Sequence, residues 1–197
     1  MMTGDDLALP DSCGIALKEW DVVCAALASG RQSLILRKGG IDEAAGGFAP
    51  EHAAFWLYPT RVHQDQQGVK PGEAGPSLLE GVQEREIPIE YLAVVGLIGR
   101  VERLEDLSSL DSSHIWTEET VEKRFHYRRP GLWVIGVRVY RAASERLPVT
   151  PEFLGCKSWV PLGVELPAAG IKPVLSDPEY RASLNAIRAA LSFTAGS

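Results

Sequence analysis

The sequence predicts an α+β protein with an N-terminal, a middle and a C-terminal helix. These helices accompany a mixed, mostly antiparallel sheet or a partly open barrel. Strand-like and helix-like patterns follow each other without the regular strand–helix–strand alternation of a parallel α/β sheet. A length of 197 residues with 45% apolar content is enough for one well-buried domain. We expect residues 1–13 to form a flexible tail and residues 14–197 to form that single domain.

The first helix is predicted over Ile15–Ala28. Apolar residues recur at helical spacing between Trp20 and Leu27, and Gly30 is a natural left-handed cap beyond the end. Glu19 would then lie among apolar neighbours, where a carboxylate is costly to bury unless it is paired. Two interpretations of Glu19 stay open. It forms an ion pair with an arginine of the sheet, or it is a carboxyl group of raised pKa that serves as an acid or a metal ligand.

Five strands are predicted from apolar runs that are bounded by turn residues. They are Ser33–Lys38, Phe55–Tyr58, Ile89–Glu102, Leu132–Ala142 and an edge strand at Ser158–Leu162. Pro59 is expected to end the second strand, and Gly96 with Gly99 to mark a bulge or a close backbone approach in the third. The stretch 64–86 is rich in Gly, Pro, Gln and Glu, and is predicted to be a mobile surface loop.

Two further helices carry N-terminal signals. Thr117 suits the N-cap of a helix over Glu118–Phe125, and the helix dipole favours the acidic residues of its first turn. Residues Ser176–Glu179 form a capping box that begins the C-terminal helix. An apolar stripe that starts at Tyr180 is expected to dock this last helix on the core. His114 is interpreted as a loop residue without a role.

Charge and composition narrow the function classes. The net charge of −6 argues against a protein that coats nucleic acid generally, although it allows a local basic patch. Cys13, Cys24 and Cys156 show no CxxC spacing, so a reduced intracellular chain is expected rather than a metal cluster or a disulfide framework. The acidic N-terminus does not resemble a signal peptide, and no apolar run is long enough for a membrane span. We therefore expect a cytoplasmic protein.

Basic, aromatic and hydrogen-bonding side chains gather at predicted strand ends between Arg31 and Gln64. A rigid scaffold presents side chains to a ligand at such ends, and this composition suits an anion. The candidate ligand-binding residues are Arg37, Lys38, His52, Tyr58, Thr60, His63, Gln64 and Arg128. The leading hypothesis is that they bind a nucleic acid or a nucleotide-like anion. The cations would hold phosphate, the histidines and Gln64 would form hydrogen bonds, and Tyr58 would stack on a base.

Less specific interpretations of these residues stay open. The basic side chains, including Arg138, would also suit a solvated rim or partners for Glu19 and Glu51. Tyr140 would extend the stacking platform if it pointed outward beside Arg138, whereas aromatic residues on sheet faces usually belong to the core. Gly39–Gly40 would allow close approach of a phosphate, but no complete P-loop or GxGxxG pattern is present.

Two rival functions accompany the leading hypothesis. An enzyme, such as a phosphodiester hydrolase, would use Glu19, Glu51 and His52 to bind a divalent metal or to move protons. No cofactor is predicted, because the spacing between His52 and His63 is no standard zinc spacing and no GxSxG or HExxH motif is present. A protein-interaction module would instead use the acidic surface and the loop at 64–86.

Several short motifs together resemble the bacterial family catalogued as domain of unknown function eighteen-zero-two. They are LKEW at Leu17–Trp20, LRKGGI at Leu36–Ile41, EH at Glu51–His52, LYPT at Leu57–Thr60, HQ at His63–Gln64, RPGL at Arg129–Leu132 and VRVYR at Val137–Arg141. The resemblance covers residues 14–165 and implies no activity.

A weaker likeness is to ASCH domains, which have a PUA-like barrel and are linked to RNA. Their pattern of a helix followed by Gly-x-Lys-x-x-Glu-x-Arg falls on Gly30, Gln32, Ile35 and Arg37. The glycine and the arginine match, whereas the lysine and the glutamate do not. The likeness therefore implies a helix–turn–strand arrangement, a PUA-like barrel and anion binding, but no ASCH-type catalysis.

Overall fold

The described part of the chain folds into one mixed sheet with three α-helices. The computed structural model describes residues 8–38, 51–153, 155 and 157–192. The strands are β1 (Ser12–Trp20), β2 (Leu34–Arg37), β3 (Ala54–Thr60), β4 (Glu86–Val101), β5 (Leu132–Pro148), β6 (Trp159–Pro167) and β7 (Lys172–Pro173). The α-helices are α1 (Asp21–Ala28), α2 (Glu118–His126) and α3 (Asp177–Ser192), and 3-10 turns lie at Gln64–Gln66, Leu104–Ser113 and Pro151–Phe153. The predicted α+β class is confirmed.

The hydrogen-bonded strand order is β2-β5-β4-β3-β1-β6, and β7 pairs with β5. Among the strand pairs of the described residues, only β1 and β3 run parallel. The predicted mixed, mostly antiparallel sheet is therefore confirmed. The two end strands of this order, β2 and β6, form no ladder with each other within the described ranges, so the sheet stays open.

The predicted helix over Ile15–Ala28 is wrong in its first part, because β1 occupies Ser12–Trp20 and α1 begins only at Asp21. β1 lies between β3 and β6. Its adjacent residues Ala16 and Leu17 point to opposite faces of the sheet, and both are fully buried. A strand that is buried on both faces does not alternate between apolar and polar residues. Hydrophobic periodicity therefore does not distinguish it from a buried helix.

The ordered sheet begins earlier than the sequence predicts. Ser12 lies inside the predicted tail 1–13, yet it pairs with Pro167 of β6. Ser12 and Cys13, the last two residues of that range, therefore belong to β1 and not to a tail. Residues 1–7 lie outside the described ranges, so the flexibility predicted for them stays a prediction.

β3 continues through Pro59 to Thr60, whereas the sequence predicts its end at Tyr58. The proline is tolerated because β3 pairs with β4 only over Ala54–Trp56, so beyond that segment one side of β3 has no ladder to interrupt. On its other side β3 pairs in parallel with β1, up to Thr60 opposite Trp20. The two parallel strands consequently end side by side, at the same edge of the sheet.

β4 and β5 form the long antiparallel pair in the middle of the sheet. Their ladder shifts register between Val95 and Leu97, which confirms the irregularity predicted at Gly96. A Cβ atom at Gly96 would collide with the hydroxyl of Tyr180, so the close backbone approach is confirmed as well. Tyr180 and Leu184 are buried, because α3 docks on the sheet at this point.

α2 and α3 begin where the sequence predicts. In α2 the hydroxyl oxygen of Thr117 accepts a hydrogen bond from the N–H of Thr120 at 3.3 Å. At the start of α3 the carboxylate of Glu179 accepts hydrogen bonds from the N–H and the hydroxyl of Ser176, at 2.9 and 2.6 Å. Both capping predictions are confirmed.

The predicted edge strand and the predicted loop are both present. β6 is last in the strand order and pairs only with β1 among the described strands. Between the first 3-10 turn and β4 the chain forms no α-helix or named strand, although Val69 makes a single bridge to Trp116. The N–H of Gly68 also donates to the hydroxyl of Thr120 at 2.8 Å, which anchors this part of the loop to α2. The mobility predicted for 64–86 stays a prediction.

The cysteines that the structure describes are buried thiols. Cys13 and Cys24 are buried free thiols, and Cys156 lies outside the described residues. Burial raises the pKa of Cys24 well above its ordinary value, and the carboxylates of Glu19 and Asp21 raise it further. None of the described helices is long and apolar enough to cross a bilayer.

One arginine spans the open side of the sheet. Arg37 ends β2, and its guanidinium donates to the carbonyl of Lys18 and the carboxylate of Glu19 in β1, at 3.1 and 3.2 Å. Another of its nitrogens donates to the hydroxyl of Ser158, just before β6. Strands from opposite ends of the order therefore meet around this side chain. The sheet is therefore curled so that β2 approaches the start of β6, while its hydrogen-bonded ladder stays open.

The carboxylate of Glu19 is enclosed by the protein. Its side chain is only 2% exposed, and the oxygen that does not face Arg37 accepts the N–H of Trp20 at 2.9 Å. The interpretation of Glu19 as the ion-pair partner of a sheet arginine therefore describes the structure. Such a pair is costly to break, because removal of one partner leaves the other charge buried without compensation.

His114 is buried and is not an ordinary loop residue. It is 5% exposed, and its backbone carbonyl accepts a hydrogen bond from the ammonium of Lys70 at 3.0 Å. Burial lowers the pKa of His114 from 6.5 to about 4, and the charge of Lys70 lowers it further while that of Asp111 opposes the change. The imidazole is therefore neutral at pH 7.

We expect Arg37→Met to lower the free energy of unfolding by about 3–5 kcal/mol, because Glu19 would remain buried without its partner. The double variant Glu19→Gln with Arg37→Met should recover most of that loss, since neither charge of the pair is then left without the other. Urea denaturation at neutral pH measures both. Lys123→Met, which breaks an exposed pair with Glu119, is the control and should change little. Equal losses of stability in Arg37→Met and Lys123→Met would contradict a structural role for the buried pair.

The free energy of unfolding should also fall as the pH drops from 6.5 to about 4. Across this window the unfolded chain binds a proton at His114 while the folded protein does not, so acid favours unfolding. A pKa difference of this size corresponds to about 3 kcal/mol, which is present above the window and lost below it. His114→Gln removes the contribution, so its plot of stability against pH should be flatter there. Parallel plots for the two proteins, from denaturation at several pH values, would contradict the assignment.

Candidate anion-binding cleft

A cleft of about 260 Å³ lies where the parallel strands β1 and β3 end. Its lining residues come from β1, β2, β3, the turn after β3 and the segment before β6. They are Lys18, Glu19, Trp20, Arg37, Tyr58, Thr60, Val62, His63, Phe153, Gly155, Lys157 and Ser158. Of the residues that the sequence predicts for a site, the structure brings Glu19, Arg37, Tyr58, Thr60 and His63 to this cleft.

The lining of the cleft is cationic. Lys18, Arg37 and Lys157 contribute three positive groups, and the carboxylate of Glu19 is paired with Arg37. The ammonium of Lys18 donates to the carbonyl of Gly155 at 2.9 Å, which fixes its position at the side of the cleft. Lys157 is exposed. The chain as a whole carries a net charge of −6, so this concentration of positive charge is local.

Hydroxyl and imidazole groups complete the polar wall. The hydroxyl oxygen of Thr60 accepts the N–H of Val62 at 3.2 Å, which supports the turn after β3. His63 follows with a φ of 60°, a left-handed backbone conformation that is uncommon outside glycine. Its Nδ1 lies 3.3 Å from Nε2 of Gln66. This turn places an exposed imidazole at the mouth of the cleft.

The aromatic side chains of the cleft are largely covered. Tyr58 is 6% exposed, its ring meets Phe153 edge-on at a centroid distance of 5.8 Å, and the ammonium of Lys18 lies 5.6 Å from its centroid. Burial raises the pKa of Tyr58, so its phenol is protonated at neutral pH. Tyr140 is also only 6% exposed. Both rings therefore belong to the core, as the alternative interpretation of these aromatic residues expects, and they form no outward-facing platform.

Two predicted ligand-binding residues serve the fold. The ammonium of Lys38 donates to the carbonyl of Phe125 in the last turn of α2 at 2.7 Å, and to that of Gly131, just before β5, at 2.9 Å. Burial lowers the pKa of Lys38. The side-chain oxygen of Gln64 accepts the N–H of Val22 at 3.1 Å, and so satisfies a donor in the first turn of α1. Neither Lys38 nor Gln64 is among the described residues that line the cleft.

Three more predicted residues are not among the described residues that line the cleft. The imidazole of His52 packs edge-on against Trp159, with 4.8 Å between ring centroids. Arg128 is exposed in a turn with a φ of 63°, and its guanidinium packs on the neighbouring tyrosine ring. Glu51 is exposed. The Gly39–Gly40 pair lies outside the described residues.

The carboxylate and histidine residues predicted as acids or metal ligands do not converge. Glu19 faces Arg37 inside the cleft, whereas Glu51 and His52 lie elsewhere. Within residues 8–38, 51–153, 155 and 157–192, no group of three or more His, Cys, Asp or Glu side chains could hold a metal ion. The donor set proposed for a metal-dependent hydrolase is therefore not assembled from these residues.

Behind the cleft a guanidinium lies over two tryptophan rings, which meet each other edge-on. That of Arg124 in α2 lies 4.8 Å from the ring centroid of Trp20 and 5.3 Å from that of Trp116. Arg124 also donates to the carbonyl of Leu36 at 2.7 Å. Burial lowers the pKa of Arg124 to about 10, although the charge of Glu19 opposes the fall. The group therefore stays charged at neutral pH and adds to the positive potential near the cleft.

Lys18, Lys157 and Ser158 line the cleft but are not among the residues predicted from the sequence. Lys18 falls within Ile15–Ala28, which the sequence predicts to be a helix. It lies beside Glu19 near the end of β1 only because this part of the chain is a strand. Lys157 and Ser158 come from the short connection before an edge strand, and no motif singles them out.

Three crystal structures of an ASCH protein from Zymomonas mobilis resemble this chain. The protein itself aligns with a TM-score of 0.42 and 12% identity over 88% of this chain and 94% of that chain. A tyrosine-to-phenylalanine variant gives 0.45 and 11% over 87% and 96%, and a serine-to-alanine variant gives 0.41 and 14% over 91% and 99%. These neighbours belong to the family of the weaker likeness in the sequence. Values this low do not establish a shared ligand or activity.

No curated protein matches the chain significantly. A family model described as Domain of unknown function (DUF1802) matches residues 16–186, from β1 into α3. This match covers most of the chain, including the motifs from LKEW to VRVYR. The chain therefore belongs to the DUF1802 family.

Proposed function

We propose that this protein binds a nucleic acid or a nucleotide-like anion through a phosphate group in the cleft at the end of β1 and β3. The observation that carries the proposal is the convergence of Lys18, Arg37 and Lys157 from three separate segments of an otherwise acidic chain. Folding brings these like charges together, and Glu19 is the one carboxylate among the described residues that line the cleft. A site that concentrates positive charge in this way attracts an anionic ligand.

The three cations have different parts in this proposal. Arg37 is held by Glu19 and by the hydroxyl of Ser158, so its main contribution is a fixed frame for the cleft. Lys18 is positioned by the carbonyl of Gly155, and Lys157 is exposed at the rim. The two lysines are therefore the groups that contact the phosphate. A frame that is ordered before binding reduces the entropy lost when the ligand binds.

The dimensions of the cleft select the part of the ligand that is recognised. A volume of about 260 Å³ is slightly below the range of about 300–1,000 Å³ that is usual for small-molecule pockets. The rings of Tyr58 and Trp20 already contact neighbouring side chains, which leaves phosphate and sugar as the groups that fit best. Contacts with phosphate carry no sequence information by themselves. Binding should consequently be sensitive to salt and tolerant of base sequence.

We expect Lys157→Ala to weaken binding of a short fluorescein-labelled single-stranded oligonucleotide about five- to tenfold at low salt. One phosphate contact is lost, so the slope of log Kd against log salt should decrease by about 0.7. Lys18→Ala should act in the same direction. Fluorescence polarisation over a salt series measures both quantities. Lys172→Ala, which removes an exposed lysine of β7 outside the cleft, is the matched control and should bind like the unmodified protein.

Competition identifies the recognised group. A nucleoside monophosphate should displace the oligonucleotide, whereas the corresponding nucleoside should not. Arg37 is left intact in these experiments, because its replacement would destabilise the fold and confound the result. The proposal is overturned if Lys157→Ala and Lys172→Ala bind equally, or if the nucleoside competes as well as its monophosphate.

A further inference from the structure

A strip of arginine and aromatic side chains lies near the end of β2 and the start of β5. We call this surface the basic strip, and it consists of Arg100, Tyr127, Arg128, Arg129 and Trp133. Its three arginines are exposed, Tyr127 is 49% exposed and Trp133 is half-buried. None of the five is among the described residues that line the cleft at the end of β1 and β3. The strip is therefore a surface that the proposed function has not used.

The register of the sheet connects the basic strip to the cleft. Arg37, which lines the cleft, pairs with Trp133 in the ladder of β2 and β5, and Trp133 pairs with Arg100 in the ladder of β4 and β5. Side chains directly opposite each other in antiparallel strands share a face of the sheet, with their Cβ atoms about 5 Å apart. A row of three side chains therefore leads from the cleft to Arg100, over about 10 Å.

The turn that carries the rest of the strip has a fixed shape. The N–H of Arg129 donates to the carbonyl of Tyr127 at 2.9 Å, across Arg128 with its φ of 63°. A hydrogen bond across one residue of positive φ is typical of the rare γ-turn. The ammonium of Lys38 donates to three backbone carbonyls around this turn, including that of Arg129. Since Lys38 directly follows Arg37, the same stretch of chain supplies the cleft and supports the turn.

Two pairs of a guanidinium and an aromatic ring make up most of the strip. The guanidinium of Arg100 lies 5.6 Å from the ring centroid of Trp133, and that of Arg128 lies 5.3 Å from the ring centroid of Tyr127. Unpaired bases of nucleic acids stack on aromatic rings and on guanidinium planes. The cleft itself suits phosphate and sugar, because the rings of Tyr58 and Trp20 are already in contact with neighbouring side chains. The strip supplies the stacking surface that the cleft lacks.

The charge of the strip suits a polyanion. Arg128 and Arg129 have no ion-pair partner among the described residues. Arg100 pairs with Glu102 at 3.4 Å, but both side chains are exposed, so this pair contributes little. Burial lowers the pKa of Lys38, and the charge of Arg100 lowers it further, which shows that the cations of this region repel each other. An anionic strand that lies across the strip would relieve this repulsion.

We propose that the basic strip extends the cleft into a binding surface for a single-stranded nucleic acid. This inference rests on the proposed function and adds the part of the ligand that the cleft does not hold. One phosphate occupies the cleft, and the strand continues past Arg37 onto the strip. There Arg129 contacts a further phosphate, and a base stacks on the pair of Tyr127 and Arg128. A duplex does not suit this surface, because its paired bases are not free to stack on side chains.

Two probes separate the strip from the cleft. A dinucleotide with a single phosphate is too short to reach from the cleft to the turn, whereas a single strand of about ten nucleotides covers both. Isothermal titration calorimetry with unlabelled DNA measures the affinity for each probe. Tyr127→Ala should weaken binding of the long strand about fivefold or more and leave the affinity for the dinucleotide unchanged. Tyr127→Phe keeps the ring and should bind both probes like the unmodified protein.

The arginines of the strip are tested through the salt dependence of binding. Arg129→Ala should weaken binding of the long strand and lower the slope of log Kd against log salt by about 0.7, with no effect on the dinucleotide. Arg146→Ala is the matched control, because it removes an exposed arginine at the far end of β5 and changes the net charge equally. Lys157→Ala should weaken binding of both probes, since Lys157 belongs to the cleft.

The inference is overturned if Tyr127→Ala and Tyr127→Phe bind the long strand equally, or if Arg129→Ala and Arg146→Ala do. A dinucleotide that still binds in those experiments leaves the cleft proposal standing. An unmodified protein that binds neither probe would overturn the proposed function, and this inference with it. Strip variants that lose binding to phosphatidylserine vesicles but not to the long strand would indicate a membrane surface, which would also overturn the inference.

Discussion

The ion pair between Arg37 and Glu19 is the constraint on which the rest of this structure depends. β2 and β1 are separated by three strands in the sheet order, yet the guanidinium joins their ends at 3.2 Å and also reaches Ser158 before β6. The curl of the sheet brings these ends together, and the buried charges then hold the opening at a fixed width. An apolar pair would lack this directional requirement, because dispersion contacts tolerate small displacements that a guanidinium–carboxylate contact does not.

The same constraint explains how an acidic protein can contain a cationic cleft. Glu19 lies 2% exposed beside Arg37 and within the electrostatic reach of Arg124, so one carboxylate offsets charge from two arginines. Lys18 at the side of the cleft and Lys157 at its rim add two further positive charges. Glu118 and Glu122 of α2 line not the cleft but a separate cavity, between this helix and the 3-10 segment Leu104–Ser113. The helix thus separates a positive region from a negative one.

The sequence predicts those elements whose signals are local. The helix caps at Thr117 and Ser176 and the break in β4 at Gly96 follow from short-range chemistry, and all three are confirmed. β1 escapes prediction because burial on both faces removes the alternation that marks a strand. β3 continues through Pro59 because it no longer pairs with β4 at that point. The extent of this pairing is a property of the whole sheet and cannot be read from the segment itself.

The candidate site shows the same division between local and long-range information. Arg37 and Lys38 are adjacent in sequence, but Arg37 ends β2 and reaches the cleft, whereas Lys38 lies beyond β2 and donates to carbonyls at the end of α2 and just before β5. The sequence shows that both residues are positively charged, but it does not show where their side chains point. Lys18 and Lys157 are far apart in the chain and meet only because β6 pairs antiparallel to β1, which brings the start of one strand to the end of the other. A cluster built from strand ends therefore becomes visible only when the pairing and the register are known, even though each of its residues is plainly charged in the sequence.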